Sequence, residues 1–325
     1  MPELSPTRKR RGRLLRRGAA FMVLLAVAGY LAVQYVTGGT GTPGCDVVSG
    51  KGDGAGYEFT PEQAVNAATI AAVGTGRGLP ERAVTIALAT ALQESGLRNI
   101  GHGDRDSLGL FQQRPSMGWG TEEEILDPVY SAGEFYEHLA KVPDYTRLPL
   151  TVAAQRVQRS GFPEAYAKHE PDATLLAAAL TGRSAATLTC EGRPGATLAS
   201  GADSVRDALL RDYGRDALQP AAAEVSGEKA TPSPTPSVIK KDERTVVLPV
   251  PADEGSGAGR GARERGWQLA HWAVANASDL HIKRVSYAGR QWTAGNTDSQ
   301  WRAITGPGAA EAGSGAGEVR IVTAP

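Results

Sequence analysis

The sequence predicts an α+β protein: an α-rich central region, a short loop-and-hairpin insert, and a smaller mixed segment at the C-terminus. Three patterns carry that expectation. Apolar residues recur at helical spacing from Thr60 to Val157. Residues 97–121 interrupt them with dense Gly, Asp, Asn and Pro. Beyond a Pro-rich stretch, strand-like runs at Thr245–Val250, Lys283–Tyr287 and Glu318–Val322 flank a helical pattern at Ala262–Ala277.

Residues 1–18 are a basic tail in which Arg8, Lys9, Arg10, Arg11, Arg13, Arg16 and Arg17 are opposed only by Glu3. Residues 19–37 follow as an expected transmembrane anchor. Ala19 to Val36 carries no charge and, at ~1.5 Å per residue, spans most of a bilayer core. The basic flank favours a cytoplasmic N-terminus and an extracytoplasmic remainder. A cleaved signal peptide shares this layout. Tyr35 to Gly39 shows no clear small-residue cleavage signal, which favours the uncleaved anchor. Residues 38–56, rich in Gly and Thr, read as a tether.

The central domain is expected over 57–190. Thr60 can cap a first helix with Pro61 at its first position and Glu62 and Gln63 in its first turn. Gly74, Gly76 and Gly78 are expected to stop it. Pro80 opens a second helix through Ala83, Val84, Ala87, Leu88, Ala91 and Leu92, ended by Gly96. Asp127-Pro128 opens another, amphipathic through Phe135, Leu139 and Val142, and Leu150–Val157 and Pro163–Lys168 fit two more. Residues 191–242 hold a helix at Asp203–Tyr213 and a linker containing TPSPTPS, and 243–325 form a small α+β domain.

Formal net charge is +0, so no global field argues for nucleic acid. Cys45 and Cys190 are the two cysteines. Outside the membrane two cysteines normally pair, and these bracket the central domain. No Cys, His or Glu stands at ligand spacing near His102, so no metal site and no cofactor is expected.

Glu94 is the residue on which chemistry is argued. It lies near the inward face of an Ala/Leu/Val helix, where a carboxylate is costly unless paired, in a cleft, or protonated. A glycosidase needs such a group, because a neutral carboxylic acid must deliver a proton to the leaving oxygen. Glu94-Ser95, followed by Asp106-Ser107-Leu108-Gly109-Leu110-Phe111-Gln112, resembles the core of soluble lytic transglycosylases and goose-type lysozymes. The resemblance covers about 110 residues and continues in Asp127-Pro128 and Ser131-Ala132-Gly133. It implies a lysozyme-like fold, Glu94 as proton donor, Gln112 facing the sugar and Ser95 at the site as local support. QQRPSMGWGT and AAQRVQRS look like an actinobacterial branch of such proteins. Where that family carries a Tyr-Asn-Ala-Gly turn, this chain has Val157-Gln158-Arg159-Ser160-Gly161, with Gln158 and Tyr166 as cleft-lining candidates. Trp119, in a Gly-Trp-Gly loop, is a candidate for stacking on a sugar ring or for packing.

Hydrolases of this kind need two carboxylates at a defined separation. Asp104 and Asp106 are the nearest partners and read better as turn residues. The expectation is therefore cleavage of peptidoglycan glycan strands by a lytic-transglycosylase-like mechanism, with one Glu as acid and base. The rival is a non-catalytic wall-binding or secretion/conjugation-assembly protein. In the last segment, Gly266 to Trp272, Asn276-Ala277 and Val285-Ser286-Tyr287 resemble part of a D-Ala-D-Ala-peptidase-like domain. The strand around Glu318–Ile321 lacks the zinc-holding His of that family, and His271 and His281 alone cannot make the site. A degenerate, non-catalytic domain is the expectation.

Overall fold

The computed structural model describes residues 44–159, 163–192, 201–214, 244–250, 261–295, 300–305 and 317–324. The expected basic tail, the anchor at 19–37 and the Pro-rich linker lie outside them. Among the described residues no helix is long and apolar enough to cross a membrane. The fold is mixed α+β, with a helix-rich central region and a five-stranded antiparallel sheet at the C-terminus.

The chain enters through β1 (Cys45–Val48) and β2 (Gly56–Phe59), which pair antiparallel. Part of the stretch expected as a tether is therefore a strand. β1 also pairs with β3 (Leu188–Cys190), placing Cys45 directly opposite Cys190, and the two are joined by a disulfide. Val47 is fully buried while Asp46 and Val48 face out, an alternation too short to separate from the surrounding Gly-rich sequence.

Helix α1 (Pro61–Gly76) starts as its sequence demands. The Thr60 hydroxyl accepts from the Gln63 amide, and the Gln63 side chain accepts from Thr60 N at 2.8 Å. The expected stop at Gly74 is not where the helix ends. Gly74 lies inside α1, where a Cβ would sit 2.6 Å from the Tyr136 hydroxyl. That ring packs on the helix and donates to Ile70 O at 2.9 Å. The chain turns at Gly78, whose φ is +72°.

Helix α2 (Glu81–Ser95) is buried along nearly its whole length and ends at Gly96, in the left-handed conformation with φ 63°. A one-turn helix α3 (Glu122–Ile125) precedes α4 (Pro128–Ala140), which is capped by the Asp127 carboxylate on Val129 N at 2.8 Å. Helix α5 (Leu150–Gln158) and a 3-10 segment (Pro163–His169) lead into α6 (Glu170–Leu180). Sequence periodicity does not announce α6. Ala173, Leu176, Ala177, Ala179 and Leu180 are all buried, and its Ala-rich sequence presents no clean polar stripe.

Helix α7 (Ala202–Tyr213) carries Asp212 into the core. The C-terminal sheet runs β4 (Thr245–Pro249), β8 (Glu318–Thr323), β5 (Ile282–Tyr287), β6 (Arg290–Thr293), β7 (Arg302–Ala303) in spatial order. β5 and β6 form a tight hairpin through Ala288-Gly289, both at positive φ, with Tyr287 opposite Arg290.

Helix α8 (Ala262–Ala275) packs on α1, α6, β3, β5 and β8, and every residue from Gly266 to Ala275 is buried. Tryptophans bind this segment to the central region. Trp272 Nε1 donates to Asp212 Oδ2 at 2.8 Å, Trp292 Nε1 to Cys190 O at 3.0 Å, and Trp301 Nε1 to Leu188 O at 2.9 Å. Buried indoles need such partners, and these seat the C-terminal sheet against β3.

Candidate functional site

Glu94 lies in the last turn of α2, and α1 fixes the end of that helix. Gln63 Nε2 donates to Gly96 O at 2.8 Å and Asn66 Nδ2 to Leu97 O at 2.9 Å. A second support is the tight hairpin 108–113, closed by reciprocal hydrogen bonds between Leu108 and Gln113. Ser95 Oγ donates to Leu110 O at 2.8 Å and so ties the helix end to the hairpin. Ser95 is buried, and its hydroxyl is spent on this internal link. Phe111, at the hairpin tip, stacks on Phe135 with centroids 4.6 Å apart.

The Glu94 carboxyl is largely enclosed, and two side chains reach it. Tyr166 OH, from the 3-10 segment, donates to Oε1 at 2.7 Å, and the Gln158 amide also bonds it. Gln158 Nε2 additionally donates to Phe111 O at 2.7 Å, so its amide spans helix and hairpin. Burial pushes the Glu94 carboxyl above the usual carboxylate range. The bonds from Tyr166 and Gln158 oppose that shift without cancelling it. Tyr166 is fully buried, so its hydroxyl has a fixed orientation toward the acid.

Beside this group opens a cleft of about 440 Å3, whose lining includes Gln112, Trp119 and Gln158. Glu94 does not line it directly; Gln158 stands at both. Gln112 adopts φ 48° and packs over Gly103, where any Cβ would overlap its side-chain oxygen. Trp119 is half-buried and tilted against His138 with ring centroids 4.2 Å apart. Glu94, Gln158 and Tyr166 thus form one hydrogen-bonded group, and Gln112, Trp119 and Gln158 share the cleft wall. Ser95 stands behind them, and Cys45–Cys190 belongs to the small sheet.

Of the other carboxylates considered, Asp106 is fully engaged. The Ser116 hydroxyl bonds it, Arg114 Nε donates to Oδ1 at 2.7 Å and Ser116 N to Oδ2 at 2.8 Å, and together these bonds hold its carboxyl well below the usual range. Asp104 is exposed. Among the described residues no group of three or more His, Cys, Asp and Glu could hold a metal ion. His271 is instead buried in a neutral form. Nδ1 lies 2.8 Å from Ala179 O, and Nε2 accepts from Thr187 N at 3.3 Å.

Sequence reasoning missed the cations of the cleft: Arg114, Lys141, Arg156 and Arg159 all line it. Arg156 lies in the last turn of α5, and Arg159 follows the helix end at a left-handed φ of 52°, a turn that helical spacing in the sequence does not announce. Lys141 arrives from a different helix, which no local pattern could announce.

The family model described as VldE, C-terminal domain, matches residues 252–314. That stretch contains α8 and the strands β5 to β7, and the likeness concerns this part of the chain only. A search of the curated proteins finds no match to the chain.

Proposed function

We propose that this chain is a lysozyme-like protein of the cell envelope that cleaves peptidoglycan glycan strands, with Glu94 as the single acid and base. The observation that carries the proposal is the enclosed Glu94 carboxyl, its pKa raised by burial, held by Tyr166 OH at 2.7 Å and by a glutamine that also walls a cleft. A carboxyl whose protonated form is favoured by burial can donate to a glycosidic oxygen, and the resulting carboxylate can then take a proton from a sugar hydroxyl. Tyr166 and Gln158 stabilise the charged form of that cycle and orient it. Asp106, bound to Arg114 and Ser116, is not free to hold a water or attack the sugar. That favours an intramolecular product, the 1,6-anhydro sugar, over two-carboxylate hydrolysis. The disulfide between Cys45 and Cys190 fits an extracytoplasmic location.

A second reading has its own observation: Glu94 stands behind Gln158 rather than on the cleft surface. A wall-binding protein that has kept the cleft without the chemistry would look the same. The test is Glu94→Gln in the full chain, assayed on cell-wall gels. The substitution keeps shape and removes the titrating proton, so lysis should vanish while the thermal midpoint stays within a few degrees. Undiminished lysis by the variant refutes the catalytic role. A folded wild-type protein that binds walls and never lyses them selects the second reading.

A further inference from the structure

The cleft beside Glu94 has cations on its walls and no carboxylate among the described residues that line it. Arg114 is neutralised by Asp106 at 2.7 Å. Lys141, Arg156 and Arg159 make no ion pair among the described residues, and all are exposed. Each stands at or near a helix C-terminus: Lys141 caps α4, Arg156 is in the last turn of α5, and Arg159 caps it. The helix dipole accounts for a cation at each end. It does not account for two helices delivering their cations to one cleft in a chain whose formal net charge is +0.

The same wall carries a buried acceptor. Gln113 is 1% exposed, its Nε2 donates to Ser131 O at 3.0 Å, and its Oε1 has no partner among the described residues. A buried amide oxygen left without a donor is costly, so a ligand O–H or N–H that reached it would be strongly favoured.

We infer that this cleft selects glycan strands carrying negative charge, with Lys141, Arg156 and Arg159 binding an anionic substituent and Gln113 accepting from a neighbouring hydroxyl or amide. The inference names the substrate class of the site described above and rests on that site being a glycan cleft. Two wall components supply such anions: the carboxylates of stem peptides, and the phosphodiesters of polymers attached to the glycan. Either meets guanidinium and ammonium groups as a charge-assisted hydrogen-bond acceptor.

The test uses sedimentation with purified sacculi, a binding readout independent of catalysis. The full chain carrying Glu94→Gln is compared with the same chain also carrying Lys141→Gln, Arg156→Gln and Arg159→Gln. All three cations are exposed, and circular dichroism checks the fold. Removing three solvent-exposed charge contacts should weaken binding roughly ten-fold at low salt. The gap should close as salt shortens the screening length. Sacculi freed of stem peptides, of phosphodiester polymers, or of both then identify the source, since the charge-dependent binding should disappear with the responsible group. As a measurement free of cation variants, Glu94→Gln binding to untreated sacculi should itself fall with salt.

Equal binding by both chains, or undiminished binding to strands stripped of both anions, overturns the inference. Wild-type protein that binds in this charge-dependent way but never lyses would sink the catalytic proposal and leave this one standing.

Discussion

Protonating His271 should loosen the molecule in mildly acidic solution. Its ring is fully buried between α8 and α6, and burial pushes its pKa down from 6.5 to about 4. The neutral ring holds two backbone groups at once, through Nδ1 to Ala179 O and from Thr187 N to Nε2. Since the folded-state pKa is depressed, the unfolded chain binds the proton more readily. The stability contribution is complete above the unfolded pKa and is lost as pH falls toward the folded one. The window therefore runs from about pH 6.5 down to about pH 4. With those two values, linkage gives a loss of about 2 kcal/mol by pH 5 and about 3 kcal/mol by pH 4, from this one group. Urea unfolding midpoints at pH 7, 5 and 4 measure it, for wild type and for His271→Gln. Other groups titrate in the same range, but both proteins carry them, so the difference isolates the histidine. At pH 7 the variant should be less stable, by about 1–2 kcal/mol for a disturbed pair of hydrogen bonds. Between pH 7 and pH 4 that deficit should shrink and then reverse, because the glutamine cannot take up the proton. Parallel stability curves for the two proteins would refute the account of His271 as a neutral staple.

Two further outcomes are expected. The disulfide closes a loop with a sequence separation of 145, for which chain entropy gives about 5 kcal/mol, so Cys45→Ser with Cys190→Ser should lower the denaturation midpoint steeply; a change below about 1 kcal/mol would contradict that loop-closure account. Asp106→Asn should slow wall lysis only modestly, by loosening Arg114 and the Ser116 turn, and the released muramic-acid ends should remain 1,6-anhydro by mass. Reducing ends as the sole product, or near-complete loss of activity in this variant, would assign Asp106 a chemical role.

The chain by itself fixed the features governed by neighbours along the backbone. Thr60 with Gln63, Pro61, Gly96 and Asp127-Pro128 marked helix ends, because caps and turns are set within a few residues. Glu94 stood out because a carboxylate on an apolar helix face needs a reason wherever the helix lies. Gly74 was misleading. Its lack of a side chain serves an incoming tyrosine ring, not a turn, and that ring comes from residue 136. β1 and α6 were illegible because a four-residue strand is chosen by its partners, and in α6 the apolar Leu175 and Ala178 sit on the more open side, so the sequence shows no polar stripe opposite the buried Ala173, Leu176, Ala177 and Leu180. Only the tertiary structure decided that Tyr166 and Gln158 converge on Glu94, and that cations from α4 and α5 face the same cleft. It also decided that the tryptophans of the last segment seat on β3 and Asp212. These contacts join residues far apart in sequence, and their geometry follows from how the helices pack, which no local pattern encodes.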